Sequence, residues 1–193
     1  MFAIVGLGNP GFRYERTRHN AGAWVVEELG RSLSSWEDKF DAKLGRVDLG
    51  AERALLVLPQ SYMNLSGGPV QRAMAFYKVD AERLIVCHDE LDLPAGALRI
   101  KKGGSTAGHQ GLNDIKRALG TQDFYRVRVG IGRPQGERAR ADDAISSWVL
   151  GRPAAEEEHL IREAVADAVG AIGCLIEKGL DEAQQRFNRG KAG

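Results

Sequence analysis

The 193-residue chain is 43% hydrophobic and 27% charged with a formal net charge of +1. This usage suits one folded domain over residues 1–193 and leaves no biased run long enough for a disordered or fibrous segment. No apolar stretch approaches the roughly 18 to 20 residues that cross a bilayer, and a strand-like run begins at Phe2, leaving no room for a leader, so a cytoplasmic protein without a membrane partner is expected.

Residues 2–5 form a short apolar run that breaks into Gly6-Leu7-Gly8-Asn9-Pro10-Gly11, the pattern of a buried strand entering a loop. A polar, arginine-rich stretch follows to Asn20. From 21 to 33 the apolar residues Trp24, Val25, Leu29 and Leu33 recur at helical spacing. Strands are predicted around 44–49 and 53–58, the second closed by Pro59, and Ser66 is placed to cap a helix over 69–77. Residues 84–87 read as another buried strand, followed by His88-Asp89-Glu90-Leu91-Asp92-Leu93-Pro94 and a strand near 97–101. A glycine-rich loop over 103–111 leads into a helix at 112–119, a strand at 125–131, and a mostly helical remainder over 154–189. Glu156 to Glu158 fall near the start of that remainder, where the helix dipole favours them. Strands and helices interleave throughout. The expected fold is therefore α/β: a single three-layer domain whose twisted, mixed but largely parallel sheet is flanked by helices, with antiparallel pairing at the hairpin-like 44–58 segment. Cys87 and Cys174 both lie in apolar runs and read as buried thiols, since a disulfide framework would need more cysteines.

Charge is unevenly placed. Residues 99–140 hold ten Lys and Arg against three Asp and Glu, an excess of +7 that leaves −6 elsewhere. Such polarity can present one basic face to phosphates in a chain near neutrality, although scattered solvated cations would give the same count.

The 6–11 glycines match the dinucleotide fingerprint letter for letter, but the context fails. The next residues carry Arg13, Arg16 and Arg18 with almost no apolar face, and Glu27 and Glu28 lie inside the predicted helix instead of ending a second strand. No cofactor is expected there. A metal set from His19, His88, His109 and Asp89 is conceivable by ligand type, but its spacing matches no metal motif, so none is assigned.

What the loops do carry is amides, histidines and carboxylates: Asn9, His19 with Asn20, Met63 with Asn64, Asp89 with Glu90 and Asp92, and His109 with Gln110. In open α/β sheets such loops converge on one crevice. A histidine can take a proton from water while a carboxylate holds its other nitrogen, and primary amides can donate to a developing oxyanion.

Val5-Gly-Leu-Gly-Asn-Pro-Gly11, the 14–24 stretch with Thr17-Arg-His-Asn-Ala-Gly22, Tyr62-Met-Asn-Leu-Ser-Gly67, the 88–94 run, Gly108-His-Gln-Gly-Leu112 and Arg128-Val-Gly-Ile-Gly132 resemble, in order, the signatures of bacterial peptidyl-tRNA hydrolases. The likeness covers about residues 1–150 and is weaker through the tail. It implies a monomeric enzyme without metal or cofactor whose partner is peptidyl-tRNA, engaged through acceptor stem, 3′ end and 5′ phosphate. Carried over residue by residue, it makes His19 the general base and Asp89 its orienting partner. It gives Asn9 and Asn64 to the peptide and the 3′-terminal adenosine, with Asn64 at the oxyanion, and sets Tyr14 and Met63 along the site. Lys101 and Arg128 match the family's clamp on the tRNA 5′ phosphate. The chain departs from the family at Gln110, where asparagine is usual; Gln110, helped by Asn113 one turn on, is expected to contact tRNA or the catalytic water. From position alone, His88 at a strand end reads as structural, and His109 ahead of a helix reads as capping or orienting its loop, with a direct role left open. Two other classes stay open: a non-catalytic RNA-binding relative of the same fold, and a small-molecule esterase, which would have no use for Lys101 and Arg128.

Overall fold

The computed structural model describes residues 1–188. Seven strands form one sheet: β1 (Phe2–Gly6), β2 (Glu37–Lys39), β3 (Ala42–Leu49), β4 (Glu52–Pro59), β5 (Leu84–Glu90), β6 (Leu98–Lys102) and β7 (Tyr125–Gly130), in the order β2-β3-β4-β1-β5-β7-β6. The four central strands β4, β1, β5 and β7 are parallel, and the flanking pairs β2/β3, β3/β4 and β6/β7 are antiparallel. Helices α1 (Ala21–Leu29), α2 (Gly67–Tyr77), α3 (Gln110–Leu119), α4 (Asp142–Val149), α5 (Ala155–Lys178) and α6 (Leu180–Phe187) surround it.

The central strands are apolar on both faces because both faces are covered. On one, Ile4, Leu56, Ile85 and Val127 pack against Trp24 and Val25 of α1 and Ile161, Ala168 and Ile172 of α5. On the other, Val5, Val57 and Val86 pack against Val70 and Met74 of α2 and Leu112 and Ile115 of α3. This is the expected three-layer α/β domain. Cys87 and Cys174 are buried and free.

The expected antiparallel hairpin is β3/β4, and the structure adds antiparallel pairing of β6 with β7. Several expectations are corrected. β2 escaped notice because Glu37-Asp38-Lys39 has no apolar alternation; it is a charged edge strand, which resists edge-to-edge association. Helix α1 stops at Leu29 instead of continuing to Leu33, with Gly30 as its C-terminal cap residue, and Trp36 packs onto Gly30 so closely that a Cβ there would overlap its ring. Ser66 does not cap α2. Its hydroxyl donates to the Met63 carbonyl, and the first amide of the helix, Gly67 N–H, donates 2.7 Å to the Asp114 carboxylate of α3. The structure adds α4, which periodicity did not single out, and breaks the C-terminal run at Gly179, whose φ of 87° ends α5. The part of that run reaching Arg189 lies outside the described residues. No helix among the described residues is long and apolar enough to cross a membrane.

Candidate active site

Because β4, β1, β5 and β7 run parallel, the loops leaving their C-terminal ends open on one edge of the sheet. There a cleft of about 610 Å³ is lined by Asn9 after β1, Met63 and Asn64 after β4, Asp89 of β5, and His19 and His109. Gln110 also borders it, and Ile145 and Val149 of α4 form part of the opposite wall.

His19 sits in a 3-10 turn (Arg18–Asn20) that runs into α1. Gly22 allows that approach: a Cβ on it would overlap the Cys87 carbonyl, so only glycine lets the start of α1 lie against the end of β5. The turn is held from the other side through Arg18, whose guanidinium stacks 3.6 Å over the Trp148 ring and pairs with Glu157 at 2.9 Å. Two elements thus press His19 toward Asp89.

Asp89 is buried and receives both histidines. His19 Nδ1 lies 2.9 and 3.0 Å from its two carboxylate oxygens, and His109 Nε2 lies 2.8 Å from Oδ1. An ionised carboxylate only accepts, so both nitrogens carry protons in this arrangement, and the lone pair of His19 is left on Nε2. Burial alone would push the Asp89 carboxyl upward, but the charges and hydrogen bonds of His19 and His109 overcome it and hold the group well below the usual carboxylate range. For His19 burial acts downward, and attraction and hydrogen bonding to Asp89 outweigh it, raising the imidazole above its ordinary value. His109 also caps α3: its Nδ1 accepts from Leu112 N–H at 3.4 Å. His88 takes the structural place expected of it, though within β5 and not past its end. Its Nδ1 donates 2.7 Å to the Asp89 carbonyl, and burial with His109 nearby lowers its pKa to about 3.

Asn9 is fixed by Asn20. The Asn20 side chain accepts from Asn9 N–H and donates to Asn9 C=O, both at 2.9 Å, while Asn9 Oδ1 accepts from Met63 N–H at 2.7 Å. The Asn9 oxygen is therefore committed to holding the 62–65 loop, and any donation to a ligand has to come from its Nδ2. Asn64 and Gln110 are exposed along the cleft. Asn113, one turn on from Gln110 in α3, accepts on Oδ1 from the Thr106 hydroxyl, which ties it to the glycine-rich loop. Tyr14 stands edge-on to Tyr62, ring centres 6.3 Å apart, which joins the loop after β1 to the loop after β4.

Lys101 and Arg128 do not line the cleft themselves, but Glu90, the partner of Arg128, does. The β6/β7 register sets Lys101 beside Arg126 and Arg99 beside Arg128, so these four cations share one sheet face while Leu98, Ile100, Val127 and Val129 face the core. Arg128 is held by Glu90, with Nε 3.1 Å from Oε1. Burial, then the charges of Arg128 and Arg126, lower the Lys101 pKa. Arg126 is buried and donates to the carbonyls of Ser105 and Gly104 at 2.7 and 2.8 Å, pinning the loop that leads to His109.

Sequence reasoning missed three parts of this site: the second histidine on Asp89, the Asn20 brace under Asn9, and the α4 wall. The last had a signal in Ile145 and Val149 spaced four apart behind Asp142 and Asp143. The first two join residues distant in sequence and had none. His19, Asp89 and His109 are also a set that could hold a cation, their ligand atoms all lying within 4.8 Å of one another. The arrangement otherwise suits polarising a water: an oriented imidazole with its free lone pair facing a polar cleft, and amides at hand to receive negative charge.

A family model described as peptidyl-tRNA hydrolase matches residues 3–193. Peptidyl-tRNA hydrolase of Aliivibrio fischeri is 44% identical over 193 residues, 98% of this chain and 96% of the relative. That of Acidithiobacillus ferrooxidans is 46% identical over 96% and 97% of the two. The crystal structure of peptidyl-tRNA hydrolase from Acinetobacter baumannii superposes with a TM-score of 0.90 at 35% identity, covering 100% of this chain and 97% of that one.

Proposed function

The chain belongs to the peptidyl-tRNA hydrolase family and hydrolyses peptidyl-tRNA; from that premise we propose that it cuts the ester between the peptide and the 3′-terminal ribose with a water activated by His19, without metal or cofactor, as a cytoplasmic monomer. The observation that carries this reading is the His19–Asp89 pair.

In this mechanism His19 Nε2 takes a proton as the water oxygen bonds to the ester carbonyl carbon. Asp89 stays ionised and stabilises the imidazolium across the Nδ1 bond, while His109 acts as a positioning residue that fixes the carboxylate's rotation. The Asn64 amide, with Nδ2 of Asn9, donates to the tetrahedral oxyanion. On collapse the carbonyl re-forms, the C–O bond to the ribose breaks, and the His19 proton passes to the departing 3′ oxygen. Peptide acid and free tRNA result, and the base is regenerated.

Lys101 and Arg128 would receive the 5′ phosphate. The lowered pKa of Lys101 reflects burial and cations crowded on one side, an electrostatic demand that a phosphate would meet. Gln110, at the first turn of α3 and facing the cleft, is assigned to the 3′ end of tRNA or to the attacking water.

The test is release of N-blocked aminoacyl groups from tRNA by the protein and by His19→Ala, with and without a chelator. A positioned base contributes about 10²- to 10⁴-fold, so the variant should lose at least roughly a hundredfold while the chelator changes nothing. Loss of wild-type activity on chelation, or a variant within a few-fold of wild type, would refute the mechanism.

A further inference from the structure

We propose that Glu90 is a positioning and specificity residue of the 5′-phosphate site: its carboxylate aims the Arg128 guanidinium and tempers the hold of the cations on phosphate, so that spent tRNA is released. The inference rests on the reading of Lys101 and Arg128 as a phosphate clamp given above.

Glu90 is the last residue of β5, directly after Asp89, and both border the cleft. Side chains alternate along a strand, so Glu90 shares the face of His88, and His88 is in register with Arg128 of β7. Glu90 therefore reaches one diagonal step across the β5/β7 pair to Arg128. There Arg128 Nε donates 3.1 Å to Glu90 Oε1, and Nη2 donates to the same oxygen. The pair is mostly shielded from water: the Arg128 side chain is 20% exposed and that of Glu90 11%. Salt screens such a pair less than one on an open surface. The Glu90 charge also acts on Lys101 and Arg126, where it opposes the lowering of their pKa by burial and neighbouring cations. Glu90 thus links the cations of β6 and β7 to the cleft that holds Asp89.

A guanidinium carries its N–H donors in a fixed planar fork. Glu90 takes the Nε donor and one on Nη2, which fixes the plane of the fork and leaves the remaining donors for a phosphate. An arginine held this way loses less freedom when its ligand arrives. The charge of Glu90 has a second effect. A phosphate monoester carries about −1.5 to −2 charge near pH 7, so the carboxylate that aims Arg128 also repels the phosphate that Arg128 attracts. That repulsion has a use, because the 5′ phosphate is present both before and after the ester is cut. A contact of equal strength with substrate and product lowers KM without raising kcat, and it holds deacylated tRNA as firmly as peptidyl-tRNA. Glu90 keeps the phosphate site selective through geometry while limiting its strength.

The experiment titrates deacylated tRNA with a 5′ phosphate, and the same tRNA with that phosphate removed, against the full-length protein, Glu90→Gln and Glu90→Asp. Glutamine keeps an oxygen for Arg128 and removes the charge. Its Kd for 5′-phosphorylated tRNA should fall roughly fivefold or more, the low end of typical coupling between two sites, with a smaller change for 5′-hydroxyl tRNA. KM for N-acetylphenylalanyl-tRNA should fall with it while kcat does not rise. Aspartate keeps the charge but draws the carboxylate back by one methylene, so the preference for 5′-phosphorylated over 5′-hydroxyl tRNA should shrink; this arm tests the proposal even if Glu90→Gln fails to fold. An unchanged or weaker Kd in Glu90→Gln, or an undiminished preference in Glu90→Asp, overturns the proposal. Equal tightening on both tRNAs also overturns it, because the charge then acts on the RNA backbone at large and not on the clamp. If wild type binds the two tRNAs alike, the clamp reading itself fails, a result distinct from a preference that ignores Glu90.

Discussion

Replacing Asp89 by Asn keeps the volume of the side chain and reverses its chemistry. In the wild-type protein the carboxylate accepts from His19 Nδ1 and His109 Nε2 at 2.9 and 2.8 Å. Each bond to a charged acceptor is worth roughly 1.5 to 3 kcal/mol, so the His19 bond alone corresponds to about ten- to a hundredfold in rate at about 1.4 kcal/mol per decade. An amide has one oxygen for two N–H donors, and its NH₂ turned toward His19 favours the tautomer with the proton on Nε2, which can no longer accept from water. The general-base contribution of about 10²- to 10⁴-fold is then withdrawn, and kcat should fall roughly 10³-fold, with KM for tRNA changed little. The pH profile supplies a second readout. Asp89 raises the His19 pKa, so wild-type kcat/KM should fall as pH drops through a midpoint above the ordinary imidazole value of 6.5 and His19 becomes protonated. Without the carboxylate only burial acts on His19, and the residual activity should show its midpoint at lower pH. Hydrolysis of N-blocked aminoacyl-tRNA followed from pH 5 to 9 checks both. A variant within a few-fold of wild type, or one with an unmoved midpoint, would refute the assignment of Asp89 as the partner that orients the base.

Arg128→Gln should raise KM for tRNA substrates with kcat nearly retained, and the slope of log(kcat/KM) against log salt should shrink by about one; an unchanged slope would remove Arg128 from the phosphate contact. Gln110→Ala should lower kcat/KM, and Gln110→Asn should keep most of it; equal activity in the alanine variant would show that Gln110 touches neither tRNA nor water. Gly22→Ala forces a methyl against the Cys87 carbonyl. Overpacking of this kind costs about 1 to 3 kcal/mol, so calorimetry should find Tm lowered by roughly 3 to 10 °C, and kcat should fall with it because His19 sits three residues upstream. A Gly22→Ala protein with normal Tm would contradict the close approach of α1 to β5.

The central strands, helices α2, α3 and α5, and several residues that line the candidate cleft were legible from the chain because each rests on a local signal. Short apolar runs that are buried on both faces mark parallel strands, and Asn9, His19, Asn64 and Asp89 fall in the loops or strand ends that such a fold must bring together. Where the local signal was weak the reading slipped. β2 is three charged residues held only by pairing with β3, and α4 is short and half-exposed. The extra antiparallel partner, β6, has nothing in its own sequence that fixes direction; it is set by where β7 lies. Ser66 had the chemistry of a cap, but the Asp114 carboxylate across the α2–α3 contact won that role.

By itself, then, the sequence determined the identity of the chemical groups and the strand and helix periodicities, because these depend on residue type and on neighbours a few positions away. Only the tertiary structure decided how those groups are shared. Asp89 serves two histidines 70 and 20 residues distant, Asn9 spends its side-chain oxygen on the Met63 amide, and Asn113 is taken up by Thr106. Hydrogen-bond capacity is limited, and which partner claims each donor or acceptor is settled by packing between elements far apart in the chain.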